Sequence, residues 1–126
     1  MAVLGVGTDL VDVLRIEQSI SKQGTRFAQR ILSENEYSDY EHAKRKDVFL
    51  AKRFAIKEAV AKALGTGLSE GVSWRDIELS HDALGRPIAQ LCGGALSRFE
   101  VLGAVSLHVS LSDEGHLVSA FAVLSD

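Results

Sequence analysis

The stretch DVFLAKRFAIKEAVAKALGTG, Asp47 to Gly67, decides the fold. From Asp47 to Leu64 it keeps helical spacing longer than any other segment, and Gly65 supplies the left-handed residue that stops it. Placed on a wheel at about 100° per residue, Phe49, Ile56, Val60, Ala63 and Leu64 fall on one side, continued by Leu50, Phe54 and Ala61. That side is the expected core face. Glu58 and Lys62 point the opposite way, flanked by Ala51, Ala55 and Ala59. A solvated face carries longer polar side chains, so these methyl groups predict that a ligand or another chain comes close here. The plain alternative is an i,i+4 Glu/Lys pair worth a few tenths of a kcal/mol. Lys57 falls between Leu50 and Leu64 with Arg53 beside it, so both must snorkel to water or meet an anion.

Upstream, AVLGVG reads as a short buried strand, and Thr8 to Ile20 shifts to helical spacing with Leu10, Val13, Leu14 and Ile20 on one side. The switch is expected at Asp9, which would cap the helix with Asp12 at its third position. Arg26 to Leu32 predicts a second helix. SENE, with Glu36 three residues after Ser33, is a capping box opening a third that runs to about Ala43. Downstream, DIELS and PIAQL form a hairpin, Gly94 to Leu102 a short helix, and AVSLHVSLSDEGHLVSAFAVL a final hairpin turning at Asp113 to Gly115. The sum is an α+β domain spanning 1–126, an N-terminal strand and helices followed by an antiparallel sheet.

With 126 residues the chain has little depth for a closed internal site, so a large ligand belongs in a surface groove or at a subunit junction. The one cysteine, Cys92, excludes an intrachain disulfide and makes no case for zinc. Asp9 and Asp12 interrupt the apolar N-terminus before it reaches membrane-spanning length, and no basic leader precedes it; the expected location is the cytoplasm, with no membrane partner. Through Gly65 there are eleven Lys/Arg against nine Asp/Glu, and from Thr66 onward three against eight. This asymmetry on a net charge of -3 argues against nucleic acid and for a compact anion or an acidic partner, with solvated helix faces as the alternative.

A carboxylate at the strand end, Asp9, and a second on the long helix, Glu58, would hold a hard cation only if the ligand brings phosphates, because Mg²⁺ takes one or two protein carboxylates and fills its octahedron with water and phosphate oxygens. Lys62 one turn on and the backbone N–H groups of GTG are the phosphate-binding elements beside them. In SLHVSLS, Leu107, Val109 and Leu111 alternate with Ser106, His108, Ser110 and Ser112. His108 is thereby available to an anionic or purine ligand, or to its neighbouring serines. Nothing in the spacing singles out a Ser/His/Asp nucleophile.

Together GVGTDLVDVLRI, RFAIKEAVAKALGTG and LHVSLS, in this order and with RFAQRIL, DIEL and GRP between them, resemble the holo-acyl-carrier-protein synthases, the small bacterial type of 4'-phosphopantetheinyl transferase. The resemblance runs essentially end to end. It implies transfer of the 4'-phosphopantetheine arm of coenzyme A to a serine of apo acyl carrier protein in fatty acid biosynthesis, with release of adenosine 3',5'-bisphosphate. It further implies Mg²⁺ on Asp9 and Glu58, and Lys62 offsetting charge on the phosphates. Glu58, directly or through a water on the metal, is the candidate general base. Lys44, Arg45, Arg53, Lys62, Gly65 and His108 are the implied coenzyme A contacts, with Pro87 shaping the adenosine side. The implied assembly is a homotrimer with a site at each subunit junction, and Arg15, Lys22, Arg26 and Arg30 are the residues expected to meet the acidic carrier. Two positions depart from the family pattern: Ile56, where a smaller Ala or Ser is expected, and SDEGHLVSA, which lacks an aromatic after the final turn. Two other classes compete. A non-catalytic adaptor would tolerate loss of Glu58, and an enzyme acting on another nucleotide diphosphate would need no carrier protein.

Overall fold

A computed structural model describes residues 1–126. Strand β1 (Val3–Asp12) leads into helices α1 (Val13–Gln23), α2 (Thr25–Ile31) and α3 (Glu34–Glu41), followed by the long helix α4 (Lys46–Ala63). A 3-10 turn at Trp74–Asp76 then precedes a hairpin of β2 (Ile77–His81) and β3 (Pro87–Leu91), helix α5 (Gly93–Val101), and a second hairpin of β4 (Ser106–Glu114) and β5 (Leu117–Ser125). The chain is the expected α+β arrangement. Its main sheet is antiparallel in the order β1-β5-β4, and β2-β3 form a separate two-stranded sheet.

The first strand corrects the sequence reading. It continues to Asp12 rather than ending near Gly7, and Asp12, not Asp9, caps α1 by accepting Leu14 N–H at 2.9 Å. Leu10, Val11, Val13 and Leu14 fit both periods. Pairing with β5 decides between them, placing Val11 opposite Val118 and Asp9 opposite Ala120. The last turn is also tighter than expected: Glu114 pairs with Leu117, so only Gly115 and His116 lie between the strands. The capping box is present as read, with Ser33 Oγ accepting Glu36 N–H and Glu36 accepting Ser33 N–H.

Helix α4 runs across the inner face of the main sheet. Leu50, Ile56, Val60, Ala61, Ala63 and Leu64 are buried as expected, while Phe49 and Phe54 are only partly so. Ala51, Ala55 and Ala59 are fully buried as well. This overturns the expectation that the alanine face leaves room for coenzyme A or a neighbouring subunit. Small residues there let the helix backbone press against β1: a Cβ at Gly7 would lie 1.9 Å from Ala59 O, and one at Gly5 would lie 2.0 Å from Ala63 O.

Because side chains alternate along β1 and β5, Val6, Leu10, Leu117 and Phe121 fall on the sheet face turned away from α4. They are 57%, 67%, 42% and 43% exposed. No helix is long and apolar enough to cross a membrane.

Candidate functional site

The inner-face position of Asp9 on β1 turns its side chain toward α4, and the close strand–helix contact brings the Glu58–Lys62 turn to it. Lys62 Nζ donates to Asp9 Oδ1 at 3.1 Å and to Thr8 O at 2.9 Å. The Asp9 side chain is largely covered, at 16% exposure, whereas that of Lys62 is half-exposed. Partial burial pushes the Glu58 carboxyl above its ordinary value, and the nearby Asp9 carboxylate adds to this. Lys62 and the Trp74 indole pull in the other direction. A carboxylate whose ionisation is made costlier by a neighbouring carboxylate marks an anionic site that a cation would relieve.

No group of three or more His, Cys, Asp or Glu side chains gathers to hold a metal ion. Asp9 and Glu58 alone suit a hard, oxygen-seeking cation that leaves most of its shell to water and phosphate. Beside Asp9 opens a groove of about 290 Å³, lined also by Arg15, Asp12, Ser19, Phe27 and Phe54. A second, more open cleft of about 580 Å³ lies at the end of α4, between Gly65, Thr66, Ser69 and Glu70 on one side and Gly94, Ser97 and Arg98 on the other. Gly65 has φ +80°, which a residue with a side chain adopts only at a cost. Arg98 Nε holds Leu64 O at 2.9 Å.

Arg53, expected among the ligand contacts, is largely buried within the single chain. Its guanidinium lies 3.9 Å over the Phe49 ring and its Nε is 3.6 Å from Glu36 Oε2, so it faces the interior. Lys57, which sequence left to snorkel or meet an anion, is wholly buried on Glu36 and on the carbonyls of Ile31 (2.9 Å) and Trp74 (3.0 Å). Lys44 and Arg45 are exposed just before α4, with Arg45 3.3 Å from Asp47. Pro87 begins β3. His108 is exposed and shares the outer sheet face with Val123, opposite to the face that carries Asp9. One chain therefore keeps His108 apart from the carboxylates. Arg15, Lys22, Arg26 and Arg30 are exposed on α1 and α2, and only Arg15 lines the Asp9 groove.

Three residues escaped the sequence reading. Arg98 and Glu70 line the cleft at GTG without any local motif to mark them, and Trp74 reaches Glu58 from a turn whose only signal was a lone aromatic before DIEL.

Residues 5–120 match the family described as the 4'-phosphopantetheinyl transferase superfamily. The holo-[acyl-carrier-protein] synthase of Photorhabdus laumondii is 48% identical over 124 residues, covering 98% of each chain. The crystal structure of holo-[acyl-carrier-protein] synthase from Neisseria meningitidis superposes with a TM-score of 0.92 at 44% identity, over 99% of this chain and 100% of that one. The synthase of Bacillus anthracis, solved in complex with coenzyme A (3',5'-ADP), gives a TM-score of 0.81 at 35% identity, over 97% of this chain and 96% of that one.

Proposed function

The chain belongs to the 4'-phosphopantetheinyl transferase superfamily, and from that premise we propose that residues 1–126 act as one Mg²⁺-dependent transferase domain whose chemistry rests on Asp9, Glu58 and Lys62. The reaction is transfer of the 4'-phosphopantetheine group from coenzyme A to a serine of apo acyl carrier protein, giving holo acyl carrier protein and adenosine 3',5'-bisphosphate. The convergence of a strand carboxylate, a helix carboxylate and the lysine one turn beyond carries the residue assignment.

Asp9 and Glu58 are the residues that would hold the metal, and its chemistry when bound would be to offset negative charge on the phosphates. The carrier serine oxygen forms a bond to the β-phosphorus, and the bond from that phosphorus to the bridging pyrophosphate oxygen breaks. Glu58, directly or through a water it orients, takes the serine proton. The nucleotide bisphosphate leaves with the bridging oxygen. Lys62, bound to Asp9 without substrate, swings to the phosphates, where its charge offsets what accumulates on the leaving oxygen. Gly65 and the cleft beside it, with Lys44, Arg45, Pro87 and His108, contact the nucleotide end.

The assembly is a homotrimer. Val6, Leu10, Leu117 and Phe121 form an exposed apolar sheet face of the kind that partners cover. A second copy is also what brings His108 to a site its own chain holds on the other side of the sheet. Arg15, Lys22, Arg26 and Arg30 receive the acidic carrier protein beside the Asp9 groove. The enzyme serves fatty acid synthesis in the cytoplasm.

Intact-mass measurement of apo acyl carrier protein incubated with this protein, coenzyme A and Mg²⁺ tests the reading. The expected result is a phosphopantetheine-sized gain on the carrier, abolished by a chelator. A competent carrier that gains no mass would refute it, and full activity from a monomer in light scattering would refute the shared site.

A further inference from the structure

Trp74 is the only tryptophan of the chain. Two contacts hold it against α4 around Glu58: its carbonyl accepts Lys57 Nζ at 3.0 Å, and its ring lies 5.9 Å from the Phe54 ring, centroid to centroid, tilted by 41°. Lys57 is the residue before Glu58, and Phe54 is one turn before it. The indole is therefore fixed from both backbone and ring, yet its Nε1–H is buried without a well-aligned acceptor. A buried donor with no partner is uncommon and asks for an explanation. The Lys57 and Phe54 contacts place the indole beside the turn of α4 that carries Glu58, whose carboxylate is the acceptor this turn presents. Lys57 and Lys62, the cations flanking Glu58 on the helix, are engaged with Glu36 and Asp9 respectively. Hydrogen bonds to catalytic groups are often long or misaligned before the ligand binds and tighten in the complex.

We infer that Trp74 is a positioning residue whose indole N–H takes one oxygen of the Glu58 carboxylate and so fixes its rotation, leaving the other oxygen to face Asp9 and the bound phosphates. The inference rests on the role given to Glu58 above. It assigns the N–H a task separate from the packing of the ring. A tryptophan that merely fills space against Phe54 would act through the ring alone.

Because there is one tryptophan, the indole gives a single ¹⁵N–¹H cross-peak that reports this contact directly. In the full-length protein, MgCl₂ and coenzyme A should move that proton downfield, and Glu58→Ala should abolish the response. Replacing Trp74 with benzothienylalanine keeps the fused ring and exchanges N–H for sulfur; Trp74→Phe is the genetically encoded counterpart. Loss of one hydrogen bond to a charged group predicts a kcat lower by about tenfold with KM for coenzyme A held within about twofold and an unchanged denaturation midpoint. An indole peak that ignores MgCl₂ and coenzyme A, or full kcat without the N–H, overturns the inference. Transfer lost in Glu58→Ala but kept by the benzothienyl protein overturns only the role of Trp74. Transfer that survives Glu58→Ala overturns the reading of Glu58 and this inference with it.

Discussion

Lys57 and Glu58 are adjacent in sequence and belong to two charged clusters of opposite design. Around Lys57 every charge lies beside an opposite charge, although Arg53 Nε is buried without a hydrogen bond of its own. Its ammonium meets Glu36 and two carbonyls, and Glu36 also accepts the N–H groups of Ser33 and Leu79 while Arg53 lies alongside. This cluster ties α2, α3, α4, the Trp74 turn and β2 together and is almost wholly shut off from solvent. Around Glu58 the accounts stay open. Two carboxylates share one lysine, that lysine is half-exposed, and an indole N–H points nowhere well. A charge that the fold has satisfied builds structure, and one it leaves short is available to a ligand.

The contrast is tested most severely by removing one member of the closed cluster. Glu36→Ala or Lys57→Ala strands a buried charge and should cost about 3–5 kcal/mol of stability in urea unfolding. Replacing both with apolar residues should recover most of that loss.

In the open cluster the effects should reverse. Asp9→Ala, Glu58→Ala and Lys62→Ala should each lower the transfer rate by roughly 10²–10³-fold, as loss of a single charge-stabilising group does. Each should leave the free energy of unfolding within about 0.5 kcal/mol of the parent value, since none empties a core position. Equal losses of stability in both sets would break the comparison.

A pH series separates the clusters further. Burial and Asp9 hold the Glu58 carboxyl above its ordinary 4.5 in the native chain, so the native state binds the extra proton and stability falls as pH rises through and above that value. Glu58→Gln should flatten this slope, and Mg²⁺ should offset it in the parent protein alone. A small effect on stability is expected from Asp12→Ala, which removes the cap of α1 at the Asp9 groove and should cost about 1 kcal/mol in urea unfolding.

Sequence made some of this legible and hid the rest for identifiable reasons. The long helix, its stop at Gly65, the capping box and the first hairpin all carry local signals, and the structure contains them. The end of β1 carries none, because its pairing partners lie more than 100 residues downstream and decide between two equally good periods. Glu36 was legible as the N3 residue of a capping box, but its second task, neutralising Lys57, depends on a contact 21 residues away. The alanines of α4 were read with the wrong sign: a small side chain marks close approach as readily as vacancy. Asp9, Glu58 and Lys62 could be named because they carry chemistry whatever their environment. Trp74 could not, since an indole becomes informative only once its N–H is found buried without a partner.

That close approach of β1 to α4 also limits how the site can change. The distance between Asp9 and Glu58 is set where bare glycine meets helix carbonyl, not by interlocking side chains of graded size. No residue is smaller than Gly5 or Gly7, and the next larger one would bring its first carbon within 2.0 Å of an oxygen. Substitution offers this spacing no intermediate settings, so variation in what the enzyme accepts must arise in the groove and cleft around the carboxylates while the gap between them stays constant.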